Sequence, residues 1–118
     1  ERPELKVVGD QQGAPTWARE IAATTARILD GSKEKGLFHL SASGTTSWFG
    51  FATEILRISG QTTPVRSIPS SEFPSPAARP ANSVLDNTKF RTRFGFELPS
   101  WQSSLQHCLA EYSHLHAV

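Results

Sequence analysis

The sequence predicts an α/β protein, because strand-like and helix-like segments alternate along its first half. Leu5–Val8 is a short apolar strand candidate that ends at Gly9. Residues 36–40 give a second strand, apolar enough to be buried on both faces of a parallel sheet. A helix separates these strands, another helix follows, and residues 65–68 form a third, weaker strand. This order, with two helices after it, is typical of an α/β or α+β domain.

The first two helices are located by the residues at their ends. Thr16 is predicted to N-cap the first helix, and Gly31 to end it in the left-handed conformation. Ser47 is predicted to cap the second helix, which Gly60 ends. The predicted buried stripe of the first helix consists of Ala18, Ile21, Ala22, Thr25, Ile28 and Leu29.

The second half of the chain begins with a proline-rich segment and ends with two helices. Residues 64–80 contain five prolines, and we expect a long ordered loop held by a ligand or by the rest of the protein. Asp86 is predicted to cap a short helix that Gly95 ends, and Pro99 to lie in the first turn of the last helix. Apolar residues recur at helical spacing in this last helix: Trp101, Leu105, Cys108, Leu109 and Tyr112.

Composition narrows the classes of protein to which the chain can belong. Its 118 residues suffice for one domain with a hydrophobic core. The single cysteine fits a reducing compartment, and there is no long apolar run or signal peptide, so we expect a cytoplasmic protein without a membrane partner. The net charge is +1 and the basic residues are scattered, which argues against nucleic acid as the partner.

The segment from Asp10 to Thr16 is the first candidate ligand site. It follows a strand and leads into a helix amino terminus, where ligands and anions bind in open α/β sheets. Gly13 allows close approach of backbone to a ligand, Pro15 fixes the turn, and Gln11 offers both a donor and an acceptor. An ordinary strand-to-helix turn is the alternative interpretation.

The second candidate is the end of the proline-rich loop. Arg79 stands before a proline and can present its planar guanidinium to a phosphate, while Asn82 and Ser83 can add neutral hydrogen bonds. A surface arginine beside a turn is the alternative.

No catalytic centre is visible in the sequence. The single tyrosine, Tyr112, is followed four residues later by His116 rather than lysine, and there is no glycine-rich nucleotide-binding motif. His114 and His116 are two residues apart on a helix and point in different directions, so a metal site with Cys108 and His107 is not expected.

Three segments in order resemble the carboxy-terminal portion of dTDP-4-dehydrorhamnose reductases. They are Val7 to Thr16 (VVGDQQGAPT), Gly36 to Leu40 with Gly44 to Trp48 (GLFHL, GTTSW), and Arg79 to Asp86 (RPANSVLD). The ending Leu98-Pro99-Ser100-Trp101, followed by an apolar helix, is also similar. The resemblance covers nearly the whole chain, and its Asp-Gln-x-Gly-x-Pro-Thr and Arg-Pro-x-Asn-Ser elements are specific.

The resemblance implies that residues 1–118 are the substrate-binding carboxy-terminal domain of an extended short-chain dehydrogenase/reductase, with the last strands of a Rossmann-like sheet. A preceding half, absent here, would bind NADPH or NADH and supply a catalytic Tyr-x-x-x-Lys pair. The whole protein would reduce dTDP-6-deoxy-L-lyxo-4-hexulose to dTDP-L-rhamnose, a precursor of lipopolysaccharide, and the fragment alone would be inert. The residues implied in binding the dTDP-sugar are Gln11, Gly13, Pro15 and Thr16, with Arg79 facing the diphosphate and Asn82 and Ser83 nearby.

Some members of this family hold Mg²⁺ with glutamates at a dimer contact. One of these matches Glu111, but another falls at Arg19, beside Glu20, and an arginine cannot coordinate a cation. The sequence therefore argues against Mg²⁺ dependence. The resemblance is compatible with a homodimer of the whole protein. We expect the isolated fragment to self-associate through exposed strand edges.

Two other functions fit a similar scaffold. One is a different sugar-nucleotide reductase or epimerase, and the other is a non-catalytic regulatory subunit of methionine adenosyltransferase. A structural module without a ligand is a third alternative, although it leaves the long proline-rich loop unexplained.

Overall fold

A computed structural model of the chain describes the backbone of residues 3–116 and the side chains of residues 3–113. The strands are β1 (Leu5–Val8), β2 (Gln12–Gly13), β3 (Thr46–Ser47) and β4 (Val65–Ile68). The helices are α1 (Ala18–Gly31), α2 (Trp48–Ile58), α3 (Thr88–Phe94) and α4 (Trp101–His116), and a 3₁₀ turn spans Ser70–Glu72. Strands and helices alternate and then give way to two helices, which confirms the predicted α/β class.

The four strands form two separate two-stranded sheets. β1 and β4 are parallel, with Leu5 opposite Val65 and Val8 opposite Ile68, and α2 packs against both strands. A parallel pair needs a long crossover connection, which α1 and α2 provide. β2 and β3 are antiparallel, with Gln12 opposite Ser47, so the loop after β1 is fixed against the start of α2.

Two apolar clusters hold the helices in place. In the first, Ala42, Trp101 and Leu105 are buried, and side chains of α2 and α4 pack around them. In the second, Phe90 is only 2% exposed and its ring contacts those of Phe94 and Phe96 at centroid distances of 4.8 and 5.4 Å. Burial of these rings is the main stabilising contribution of α3.

The strand predicted over residues 36–40 was wrong. No ladder forms there in the described part of the chain, and Leu37 is 74% exposed. Instead, the apolar segment packs against α3, because the ring centroids of Phe38 and Phe94 are 5.1 Å apart. The Leu37 carbonyl accepts a hydrogen bond from Lys89 Nζ at 2.8 Å, and a side chain thus replaces a strand partner.

Both predicted ends of the first helix were wrong. Trp17 occupies the N-cap position, without a side-chain cap, because the Thr16 hydroxyl is used elsewhere. Gly31 stays helical, and the helix ends as the Ser32 amide donates to the Ile28 carbonyl. The ends of α2 were predicted correctly: Ser47 Oγ accepts from the Gly50 amide at 3.0 Å, and Gly60 has a φ of 71°.

The buried stripe predicted for α1 was also largely wrong. Ile21 and Ile28 are half-buried, but Ala18, Ala22, Thr25 and Leu29 are exposed. The inward face mixes these two isoleucines with polar groups, since Thr24 is buried and Glu20 accepts a hydrogen bond from Ser104 Oγ at 3.2 Å. Apolar spacing therefore identified only two residues of the inward face correctly, and four of the predicted residues face solvent.

The last two helices form where the sequence predicts them, but their first residues differ from the prediction. Gly95 ends α3 with a φ of 77°, as predicted. Asp86 lies one residue before the N-cap and accepts from the Thr88 amide at 2.9 Å, and hydrogen bonding to Thr88 lowers the pKa of the Asp86 carboxyl. Pro99 lies two residues before α4, whose first turn Ser100 Oγ caps instead by accepting from the Ser103 amide.

The face predicted for α4 is only partly buried. Trp101 and Leu105 are buried, Cys108 and Leu109 are half-buried, and Tyr112 is exposed. The interpretation of the two terminal histidines concerns side chains outside the described residues. No helix in residues 3–116 is long and apolar enough to span a membrane.

The proline-rich segment is ordered by a contact with the loop after β1. The Asp10 carboxylate accepts from the Ser70 amide at 3.0 and 3.1 Å and from Ser70 Oγ at 3.1 Å. After the 3₁₀ turn, residues 73–80 have no regular structure. The loop is thus fixed at its start and runs back toward residues 81–83.

Replacing Phe90 by alanine tests the aromatic cluster. We expect the free energy of unfolding to fall by about 3 kcal/mol or more, because a large buried ring leaves a cavity. Urea denaturation followed by circular dichroism measures this change. Leu37→Ala is the control: its exposed side chain predicts a loss of about 0.5 kcal/mol or less. Equal losses for the two variants would show that the cluster is not a core.

Candidate functional site

The structure brings the two candidate segments side by side. The Gln12 amide donates to the Ala81 carbonyl at 2.7 Å, and the Gln12 carbonyl accepts from the Ser83 amide at 2.9 Å. Ser83 Oγ donates to the same carbonyl at 3.1 Å. The turn after β1 and the end of the proline-rich loop, 60 or more residues apart in sequence, therefore form one surface.

A cavity of about 300 Å³ opens where these segments meet the start of α2. The wall also includes Thr46, Trp48 and Phe51. Five of the seven residues predicted to bind substrate lie on the wall: Gln11, Gly13, Pro15, Arg79 and Ser83. A Cβ added to Gly13 would lie 3.0 Å from Ser83 Oγ, so glycine permits this close approach of the two segments.

The other two predicted residues do not line this cavity. The Thr16 hydroxyl donates to the Ala14 carbonyl at 2.9 Å and accepts from the Ala42 amide at 3.0 Å. The Asn82 side-chain oxygen accepts from the Val84 amide at 2.9 Å and shapes the turn. Both residues support the walls of the site, and their direct contact with a ligand stays a prediction.

A second, larger cavity of about 880 Å³ adjoins the first. Gln11, Trp48 and Arg79 line both cavities, so these side chains stand at their junction. The larger cavity adds β1 residues, among them Lys6, and the exposed loop residue Phe73. Volumes of roughly 300–1,000 Å³ are typical of small-molecule sites.

Sequence reasoning missed the aromatic part of this site. Apolar spacing along α2 predicts that Trp48 shares a face with Phe51 and Ile55, yet its side chain is exposed and lies at the junction. The signal that locates it is the pairing of Gln12 with Ser47, which sets the start of α2 beside the loop after β1. That pairing joins two-residue strands, too short to give a periodic pattern.

The electrostatics of the junction favour an anion. Among the residues that the structure describes, no acidic side chain lines either cavity. Within residues 3–113, Arg79 is the one arginine that has neither a carboxylate nor an aromatic ring as partner. Its guanidinium therefore keeps five donors free for a ligand, and phosphate oxygens match their planar arrangement.

The residues near Glu111 do not fit a magnesium site. Arg19 forms an ion pair with the Glu111 carboxylate, and Glu20 accepts from Ser104. Mg²⁺ needs oxygen ligands in octahedral arrangement, whereas a guanidinium brings a competing positive charge. Among the described residues, no group of three or more histidine, cysteine, aspartate or glutamate side chains could hold a metal ion.

The family described as the RmlD substrate binding domain matches residues 1–114. The dTDP-4-dehydrorhamnose reductase of Burkholderia thailandensis is 42% identical over 94% of this chain, which covers 43% of that protein. The reductase of the same name from Salmonella typhimurium is 39% identical over 94% of this chain and 40% of its own length. This chain therefore spans about two fifths of the length of these relatives.

Solved structures of reductases with that name have the same fold. A Clostridium acetobutylicum structure superposes with a TM-score of 0.89 and 37% identity, over 95% of this chain and 40% of that one. A Bacillus anthracis structure in complex with NADP gives a TM-score of 0.86 and 31% identity, over 93% and 39% of the two chains.

Replacing Thr16 by valine tests the support of the first cavity. We expect the free energy of unfolding to fall by about 1–3 kcal/mol, because the amide of the buried Ala42 loses its acceptor. Urea denaturation checks this value. The matched control is Thr62→Val at an exposed position, where we expect about 0.5 kcal/mol or less. If Thr16→Val is as stable as the unaltered chain, Thr16 does not support the wall of the cavity.

Proposed function

Because the chain belongs to the RmlD substrate binding domain family, we propose that it is the sugar-nucleotide-binding part of a dTDP-4-dehydrorhamnose reductase. The observation that carries the proposal is the guanidinium of Arg79, which has no ion-pair partner within residues 3–113 and stands at the junction of two cavities whose described lining residues include no acid. A dTDP-sugar has a diphosphate at its centre, between a nucleoside and a hexose. A cation at the centre of a two-part cavity matches that arrangement.

The residues of this chain would bind and orient the substrate. Arg79 would hold the diphosphate through charge-assisted hydrogen bonds. Gln11, with a donor and an acceptor on one side chain, would bond hydroxyl groups, and the small residue Gly13 would let the ligand lie close to the backbone. Ser83 would add a further hydroxyl at the same wall. None of these groups supplies proton transfer or hydride chemistry.

The reaction would belong to the whole protein. It would reduce the 4-keto group of dTDP-6-deoxy-L-lyxo-4-hexulose to give dTDP-L-rhamnose, with NADPH or NADH supplying the hydride. Residues 1–118 have neither a glycine-rich motif nor a Tyr-x-x-x-Lys pair, so we assign cofactor binding and catalysis to a preceding domain and residues 1–118 to the substrate domain. We place this reaction in the cytoplasm, where its product would serve the synthesis of rhamnose-containing lipopolysaccharide.

Charge removal at Arg79 tests the proposal. We expect Arg79→Gln to weaken binding of thymidine diphosphate about tenfold or more, because hydrogen bonds to a charged group contribute about 1.5–3 kcal/mol. Isothermal titration calorimetry on the 118-residue chain measures the affinity. Arg66→Gln is the control, since Arg66 pairs with Glu4 and lines neither cavity. Undetectable binding by the unaltered chain, or an equal effect of both variants, would contradict the proposal.

Self-association is a separate expectation of the same proposal. β1 and β4 pair only with each other within the described residues, so each strand has one edge without a strand partner. Such edges favour pairing with another chain. We expect sedimentation velocity of the 118-residue chain to show dimers or larger species that increase with concentration. A single monomeric species at the highest concentrations would contradict this expectation.

A further inference from the structure

The indole N–H of Trp101 has no hydrogen-bond acceptor in the core. Trp101 is 6% exposed, and within residues 3–113 its Nε1 is shielded from solvent and has no hydrogen-bond partner. A buried donor without an acceptor is unfavourable, because leaving it unpaired costs more than a typical hydrogen bond contributes. Conformations that bring an acceptor to this N–H are therefore favoured.

The backbone of Gly44 lies beside this edge of the indole. A Cβ placed on Gly44 would lie 3.4 Å from Trp101 Cδ1 and 3.7 Å from Nε1. Gly44 has a φ of 83°, in the left-handed region. At this φ, glycine can turn its carbonyl in either of two opposite directions, whereas a residue with a side chain is excluded from at least one of them. Gly44 can therefore change the direction of its carbonyl beside the unpaired donor.

The peptide between Gly44 and Thr45 lies between two fixed points. On one side, the Ser43 carbonyl accepts from the Trp101 amide at 3.0 Å, and on the other, Thr46 belongs to β3. Both Gly44 and Thr45 are exposed, and among the described residues neither forms a backbone–backbone hydrogen bond. Rotation of this peptide therefore breaks no backbone hydrogen bond within the described chain, and it leaves both fixed points in place.

We propose that the loop from Ser43 to Thr46 is a two-state switch, in which rotation of the Gly44–Thr45 peptide brings the Gly44 carbonyl to the Trp101 indole N–H as its acceptor. Thr46 follows this peptide directly and lines the smaller cavity, so the two states give that cavity two shapes. The core at the start of α4 is thereby coupled to the cavity wall. The switch does not depend on which ligand the cavity binds, so it stands apart from the proposed function.

Relaxation-dispersion nuclear magnetic resonance of the 118-residue chain tests the switch, because this method detects exchange between two conformations on the microsecond-to-millisecond timescale. The Trp101 indole signal is identified by its absence from the spectrum of Trp101→Phe. We expect dispersion at this signal and at the amides of Thr45 and Thr46, with one common rate constant. Flat profiles at all three signals, or unrelated rate constants, would overturn the proposal.

Gly44→Ala tests whether the exchange is rotation of this peptide. A side chain at a φ of 83° excludes one of the two carbonyl directions, so we expect the dispersion at the Trp101 indole and the Thr46 amide to be lost. Gly60→Ala is the matched control, since Gly60 has a φ of 71° and no described neighbour lies within 4 Å of an added Cβ. This variant carries a similar backbone strain and should retain the dispersion. Exchange that persists in Gly44→Ala, or that Gly60→Ala also abolishes, would overturn the switch.

Trp101→Phe removes the donor and keeps an aromatic ring in the core. We expect the Thr45 and Thr46 amides to lose their dispersion in this variant, because the Gly44 carbonyl no longer has an N–H to accept from. Trp17→Phe, at a half-buried tryptophan outside the loop, is the control and should leave the dispersion unchanged. Continued exchange of both amides in Trp101→Phe would show that the loop moves independently of the indole, which would overturn the proposal.

Discussion

The site depends on the backbone hydrogen bonds of one residue, Gln12. Its amide and carbonyl bond the stretch from Ala81 to Ser83, while on its other side it pairs with Ser47. Three segments that are distant in sequence are thereby aligned within a few ångströms. The bonds to Ala81 and from the Ser83 amide join backbone groups, and the Ser83 hydroxyl adds a side-chain bond to the same Gln12 carbonyl.

The elements that sequence located correctly are those whose signal is local. Leu5–Val8 and residues 65–68 are strands, and Ser47 and Gly60 bound a helix as their chemistry requires. The structure of the segments that were predicted wrongly depends on contacts with residues distant in sequence. Residues 36–40 have a strand-like composition, but the aromatic side chains of α3 took the role of a neighbouring strand.

The same difference between local signals and distant contacts determines which site residues could be predicted. Charge and turn chemistry singled out Arg79 and the segment around Gly13, and the structure sets both at one cavity. The local pattern also predicted Thr16 as a helix cap, whereas its hydroxyl joins Ala14 to Ala42; the ligand contact implied for Thr16 by the resemblance stays a prediction. Trp48 had no local signal as a site residue, because its apolar side chain has the spacing of a buried face, whereas the structure leaves it exposed at both cavities.

We propose that the turn after β1 and the end of the proline-rich loop bind one diphosphate together. A titration with thymidine diphosphate, followed through the backbone amide signals of residues 11–14, 79 and 81–83, tests this most directly. We expect both groups of signals to shift together and to give the same dissociation constant. Shifts confined to one segment, or two different dissociation constants, would contradict a shared site.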